Sequence, residues 1–400
     1  MGSTRLLGAC ALLVLGSLAA GCGSSSRGGG AGPFASAATT AGATSGATTT
    51  TPTSTAGSTT PGTSTAGTST PGTSTPGTAT PPSTSRYRVS GWLPYWAYAT
   101  GDDTLRQNVG NGLDEVNLFG YALQSDGSLT AHAGVESATR HQLVRDRQGE
   151  LIPTILDVHS SSVLPAVMDD PARRARTIQA VLDLLDRFGY DGVDVDFEHA
   201  TTARKDDFTR FMADMSQAVR ARGKVFSLTI PGKRAGSQSW GGYDYPALAP
   251  LADRVKIMTY GYSGPWSRTP GPIAPVTWIR QVMDYAVTTM PAGKIQIGIP
   301  FYGYDWPLNQ TDPIRSVTWN TAQPRLARSA AGMRFDATRG ETTFDYRDEQ
   351  GVDHTVWFQD DRAIAAKCDV VRQYGAGGLA IWALGNESPN YWTEIRRILK

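Results

Sequence analysis

Cysteine is scarce in this chain of 400 residues: Cys10, Cys22 and Cys368 are the only three. The first two fall near the N-terminus, so Cys368 stands alone in the remainder and an internal disulfide framework is excluded. Its neighbours, Ala365-Ala366-Lys367-Cys368-Asp369-Val370-Val371, read as a helix face, and a buried, inert thiol is expected. Clusters of His, Cys and acidic residues at metal-ligand spacing are missing, as are a Gly-rich phosphate loop and a Ser-His-Asp arrangement. No metal and no cofactor is therefore expected. An excess of one charge is also missing: 37 Lys and Arg stand against 36 Asp and Glu, and only Arg5 and Arg27 precede residue 86. A domain this close to neutral is poorly suited to a polyanion, so nucleic acid is not expected as a partner.

From Gly23 to Ser85 there is no Leu, Ile or Val, the only charged residue is Arg27 and the only aromatic is Phe34. Such a stretch has no apolar surface to offset its ordering entropy, and residues 23–85 are expected to be disordered. A five-residue unit repeats within it, as in Pro61-Gly62-Thr63-Ser64-Thr65 and Pro71-Gly72-Thr73-Ser74-Thr75. Gly and Ser make this a flexible tether and Pro keeps it extended. Residues 1–22 carry Arg5, an apolar run from Ala9 to Leu18 and small residues ending in Cys22. The run is too short to span a bilayer, which makes it an export signal. Its ending, Leu18-Ala19-Ala20-Gly21-Cys22, resembles a bacterial lipobox, which implies lipidation of Cys22. The expected location is outside the cytoplasm, anchored by lipid to the cell membrane. All ten Trp lie beyond the tether, so residues 86–400 form the folded domain, expected to act as a monomer.

Within that domain, β-rich runs alternate with helical ones. Strands are expected at 88–96, 114–123, 151–159, 190–198, 224–232, 254–262, 294–304 and 377–385. Helices are expected at 171–188, 203–222, 276–290 and 361–374, the first opened by Asp170 as N-cap and Pro171. Eight strands alternating with helices predict an α/β fold, a (β/α)8 TIM barrel. Between Trp306 and Phe358 the rhythm breaks. Three alternating segments with turn signals at Arg339-Gly340 and Gln350-Gly351 predict a small β-rich insertion (306–358) between strands seven and eight, with no helix.

The most informative segment is Asp191-Gly192-Val193-Asp194-Val195-Asp196-Phe197-Glu198. On a strand, alternate side chains share a face, so Asp194, Asp196 and Glu198 point one way and Val193, Val195 and Phe197 the other. In a barrel the apolar set faces the helices and the acids face the interior. Burying three acids is unfavourable unless they share protons and hydrogen bonds, and repulsion should raise at least one pKa. A carboxyl that keeps its proton near neutrality can protonate a glycosidic oxygen. Two other readings exist. A half-exposed strand could carry alternating acids into solvent, and a calcium loop also spaces its acids. Against them, the Val-Val-Phe set argues for burial, and a calcium loop needs Gly and polar residues where Val195, Phe197 and His199 stand.

Tyr190 to Glu198 resembles the DGxDxDxE signature of glycoside hydrolase family 18, the chitinase family, at every fixed position. Met258-Thr259-Tyr260 resembles that family's Met-x-Tyr element, and Trp382 matches the tryptophan that floors the sugar site. The segments 294–306 and 356–387 are most similar to the branch holding bacterial spore-cortex-lytic enzymes, where an insertion also precedes the last strand. The resemblance implies a retaining hydrolase of β-1,4-linked N-acetylglucosamine polymers, chitin or peptidoglycan-derived, working without metal or cofactor. It implies that Glu198 protonates the leaving oxygen while the substrate's own acetamido oxygen attacks the anomeric carbon. Asp196 would orient the acetamido nitrogen and share a proton with Glu198, with Asp194 behind it, and Tyr260 would hydrogen-bond the acetamido oxygen. The family usually has Asp directly after that tyrosine, where this chain has Gly261 and then Tyr262.

Met258, Trp96, Tyr302, Tyr262 and Trp382 are the expected substrate-binding residues. Trp92, Tyr95, Tyr304 and Trp306 are open between sugar platform and packing. His199 is expected to support the site, and His159 is a further candidate at the end of strand three. The alternative function is a non-catalytic, chitinase-like carbohydrate-binding protein on the same barrel, although such proteins usually lose the terminal Glu that this chain keeps.

Overall fold

The computed structural model describes residues 87–157 and 160–400. The expected export signal with Cys22, the expected tether and His159 lie outside the described residues. Eight parallel strands follow one another round a closed barrel: Arg88–Pro94, Glu115–Leu123, Thr154–Leu156, Gly192–Asp196, Val225–Pro231, Arg254–Met258, Ile295–Pro300 and Gly378–Trp382. The last pairs with the first, Trp382 beside Trp92, and the first pairs with the second. Their outward residues, among them Val193, Val195, Leu228, Ile257 and Ile297, pack with helix residues in one continuous core.

The helix Pro171–Phe188 shows how the sequence sets these elements. Asp170 accepts a hydrogen bond from Ala172 N (2.8 Å), Pro171 takes the first position, and Gly189 ends it in the left-handed conformation (φ 62°). A cap of this kind contributes about 1 kcal/mol. Val181, Leu182 and Leu185 form its buried face. On the helix Asp361–Tyr374, Cys368 is fully buried, and burial pushes its thiol up to about 12.

The inward residues are polar where such barrels ordinarily hold Val, Ile and Leu. Ser90, Glu115, Asn117, Thr154, Asp194, Ser227, Thr229, Lys256 and Gln296 are all buried. Lys256 stands among them with its Nζ 2.8 Å from Glu115 Oε1, 2.9 Å from Asp194 Oδ1 and 3.0 Å from Ser227 Oγ. Glu115 also pairs with Arg254, which pairs in turn with Glu150.

The insertion differs from expectation in two ways. Strand seven stops at Pro300, and Gly303–Pro307 begins a separate antiparallel sheet, so the insertion starts at Gly303. A Cβ at residue 303 would lie 2.1 Å from Trp357 O, so only glycine allows this approach. The sheet continues with Arg315–Val317, Arg334–Asp336, Glu341–Arg347 and Asp353–Phe358. It also contains a helix, Trp319–Leu326, which the sequence reading missed because Pro324 interrupts it; a capping box of Thr318 and Thr321 starts it. The buried carboxylate of Asp305 ties sheet and helix together, accepting from Arg325 Nε (2.8 Å) and Tyr346 OH (2.7 Å).

The insertion also holds the loop after strand six. Glu341 accepts from the backbone N–H groups of Ile273 (2.8 Å) and Ala274 (2.6 Å), and Trp306 donates to Ser267 O (3.0 Å).

Candidate active site

Strand four ends at Asp196, and the chain carries Glu198 just beyond it, half-buried at the mouth. Asp194 lies deepest. It accepts from Trp92 Nε1 (3.0 Å), Thr154 Oγ1 (3.1 Å), Ser227 Oγ (2.7 Å) and Thr229 Oγ1 (3.0 Å), besides its contact with Lys256. Hydroxyls, an indole N–H and an ammonium are all donors, a set that suits a carboxylate. Trp92, open between platform and packing in the sequence, is buried and serves Asp194.

Asp196, one step higher, is 4% exposed, and its Oδ1 meets no donor among the described residues. Burial raises its pKa well above the ordinary range, with the Glu198, Asp194 and Asp157 carboxyls adding to the rise. Burial likewise pushes Glu198 up to about 8, reinforced by Asp157 and opposed by His199. The two carboxyls thus compete for one proton, and the acid that holds it can donate near neutral pH.

Asp157, at the end of strand three, was not singled out in the sequence. It is fully buried and accepts from the backbone N–H groups of Glu198 (2.6 Å) and His199 (3.2 Å). Its Oδ2 is also 3.2 Å from His199 Nδ1. On the other side of the same turn, Tyr243 OH donates to Phe197 O (2.7 Å). The only sequence signal for Asp157 was an acid closing the apolar run Ile152 to Leu156.

Glu198 opens into a cleft lined by Pro231, Gly232, Trp240, Met258, Tyr260, Gly261 and Trp278. Met258 and Tyr260 are therefore brought to the acid. Trp240 and Trp278 join them unforeseen, and Trp240 holds a left-handed backbone (φ 61°), uncommon for a bulky residue. Behind Tyr260 lies an aromatic cluster containing Trp382, Tyr302 and Trp96. Trp382 packs at 4.8 Å from Phe119 and 6.2 Å from Trp96, and Tyr302 at 6.4 Å from Tyr260. A non-proline cis peptide joins Trp382 to Ala383. Tyr304 and Trp306 are buried packing in the inserted sheet, and Tyr95 stacks on His132.

Tyr262 stands 54% exposed at the edge of this cleft, its ring against the lining residue Trp278, and follows Gly261, which holds a left-handed backbone (φ 77°). An Asp at position 261 would carry strain of about 1 kcal/mol in that conformation. A separate polar pocket of about 320 Å³, lined by Arg88, Asp114 and Glu150 among others, lies at the opposite end of the barrel and shares no residue with the cleft.

A closed parallel barrel with stacked carboxylates at its C-terminal mouth defines the class of glycosidase-type barrels. The chain belongs to Glycosyl hydrolases family 18, which matches residues 95–387. It is 28% identical over 312 residues to YdhD of Bacillus subtilis (strain 168), a sporulation-specific glycosylase by name, covering 76% of this chain and 73% of that one. It is 28% identical over 293 residues to the cortical fragment-lytic enzyme of the same organism, covering 70% and 66% respectively. Among solved structures it resembles the chitinase from Chromobacterium violaceum ATCC 12472, with a TM-score of 0.71 and 28% identity, covering 78% of this chain and 99% of that one.

Proposed function

We propose that this chain cleaves β-1,4-linked N-acetylglucosamine glycans, chitin or peptidoglycan-derived, with retention of configuration and with the substrate's acetamido group as nucleophile. The observation that carries the reading is the pairing of Glu198, raised to about 8 at the mouth, with the deeper Asp196, whose Oδ1 meets no donor among the described residues. Glu198 donates its proton to the leaving glycosidic oxygen as that bond breaks. The acetamido oxygen attacks the anomeric carbon, and Asp196 accepts a hydrogen bond from the acetamido N–H, favouring the cyclic cation. Tyr260 contacts the acetamido oxygen, and water then opens the ring, returning a proton to Glu198. No side chain serves as nucleophile, so glucose or fully deacetylated oligomers of the same length should not be cleaved. The test is turnover of matched acetylated and deacetylated oligomers, with NMR of the first product. A β-anomer from acetylated substrate alone is expected; an initial α-anomer, or cleavage of deacetylated oligomers, refutes the mechanism.

We further infer that Cys22 carries a lipid, that residues 23–85 tether a monomeric domain to the outer face of the cell membrane, and that the enzyme reaches wall glycan from there. The lipobox-like ending and the composition of the tether support this.

A further inference from the structure

We propose that Asp157 and His199 form a positioning pair for Glu198: the Asp157 carboxylate fixes the backbone that presents the acid, and the His199 ring sets the charge beside it. This rests on the reading of Glu198 as the proton donor. Glu198 lies beyond the last residue of strand four, where the barrel ladder no longer holds the chain. Its position is instead set by two bonds from a neighbouring strand, Asp157 Oδ1 to Glu198 N (2.6 Å) and Asp157 Oδ2 to His199 N (3.2 Å). A buried carboxylate accepting two N–H bonds is a strong and directional clamp. His199 Nδ1 at 3.2 Å from the same Oδ2 places an ionisable ring directly after the acid in sequence.

The groups facing Glu198 and its turn are Asp196, Asp157, His199 and the buried hydroxyl of Tyr243, with Asp194 and Lys256 beneath Asp196. Among these, Asp157 and His199 act on Glu198 with opposite sign, the carboxylate raising its pKa and the ring lowering it. The contact with Asp157 raises the His199 pKa above its ordinary value. While the ring is protonated the pair is neutral. When it deprotonates, the Asp157 carboxylate acts on Glu198 unopposed and strengthens that acid's hold on its proton. Asp157 therefore extends the pH range over which the donor stays loaded, the protonated His199 ring limits that rise, and the clamp keeps the donor aimed.

The experiment titrates the Glu198 carboxyl by carbon NMR in the wild type, Asp157→Asn and His199→Gln, and measures kcat/KM against pH for the same three. Asp157→Asn should lower the Glu198 midpoint and the alkaline limb of the rate profile by about one pH unit. Because Asn has one acceptor oxygen for two N–H groups, its peak kcat/KM should also fall about tenfold. His199→Gln should move the midpoint the opposite way, upward by roughly half a pH unit. A pair that only packs would alter melting temperature or rate with the Glu198 midpoint unmoved, and that result overturns the proposal. Equal shifts of one sign overturn it too. If Asp157→Asn does not fold, the His199→Gln midpoint decides alone. The NMR midpoint is independent of turnover, so an inactive wild type or an active Glu198→Gln would defeat the proton-donor reading separately.

Discussion

Replacing Lys256 with methionine isolates the cost of a charged barrel interior. Lys256 is fully buried and bridges Glu115 and Asp194 at 2.8 and 2.9 Å. Met fills nearly the same volume, so the change removes charge with little cavity. Burial alone would raise the Glu115 pKa, but Lys256 and then Arg254 outweigh it and hold the carboxyl at about 2, against 4.5 in an unperturbed glutamate. A difference of that size corresponds to about 3 kcal/mol. Because the folded value is depressed, this stability is present above pH 4.5 and is lost as pH falls towards 2. Leaving two buried carboxylates without their shared cation should cost about 3–5 kcal/mol at pH 7, a fall in Tm of about 10 °C. The gap between wild type and Lys256→Met should narrow on acidification through that window, and adding Glu115→Gln should recover part of the loss. Thermal denaturation between pH 3 and 7 reads all three. A Lys256→Met protein as stable as wild type at pH 7, or a gap that widens in acid, would refute the reasoning.

Two further variants give three expected outcomes. Glu198→Gln should reduce kcat on substrates with poor leaving groups by about two to four orders of magnitude. It should also gain stability over wild type by about 2 kcal/mol as pH rises from 4.5 to 8, because the raised Glu198 carboxyl favours folding only while protonated; unchanged kcat or a flat stability difference counts against the assignment. Labelling with a fatty-acid analogue in a bacterial host should mark the wild type and spare Cys22→Ser, and label on both or neither would end the anchoring proposal.

The barrel was legible because its strands are short β-rich runs separated by amphipathic helices, and because a period of two put Val193, Val195 and Phe197 opposite the acids. Asp194, Asp196 and Glu198 were legible for the same reason. Lys256 and Asp157 were not. Each sits at the end of, or within, an apolar strand and meets its partners only across the barrel, Lys256 with Asp194 and Asp157 with the turn after strand four. No local pattern encodes contacts made 62 or 41 residues apart. Trp278 lies on a helix that the sequence announces only as a helix, and its reach to the cleft depends on Gly232 leaving room for the ring. The exposure of Tyr262 was not legible either, because sequence shows a residue beside Gly261 but not the direction in which a left-handed glycine turns the chain.

The hold of the inserted sheet on the loop after strand six means that part of the cleft wall owes its order to residues that meet no sugar. Ile273 and Ala274 are fixed through Glu341, which a buried Lys367 on the final long helix faces at 3.3 Å. The loop's rigidity is thus borrowed from a separately packed sheet with its own small core of Val317, Phe344, Val356 and Phe358. Regions of a protein open with different free energies. If the sheet opens below the temperature at which the barrel unfolds, grip on the glycan fails first, while the carboxylates keep their geometry. Heat inactivation would then begin as a rise in KM at constant kcat, a loss of hold before a loss of chemistry.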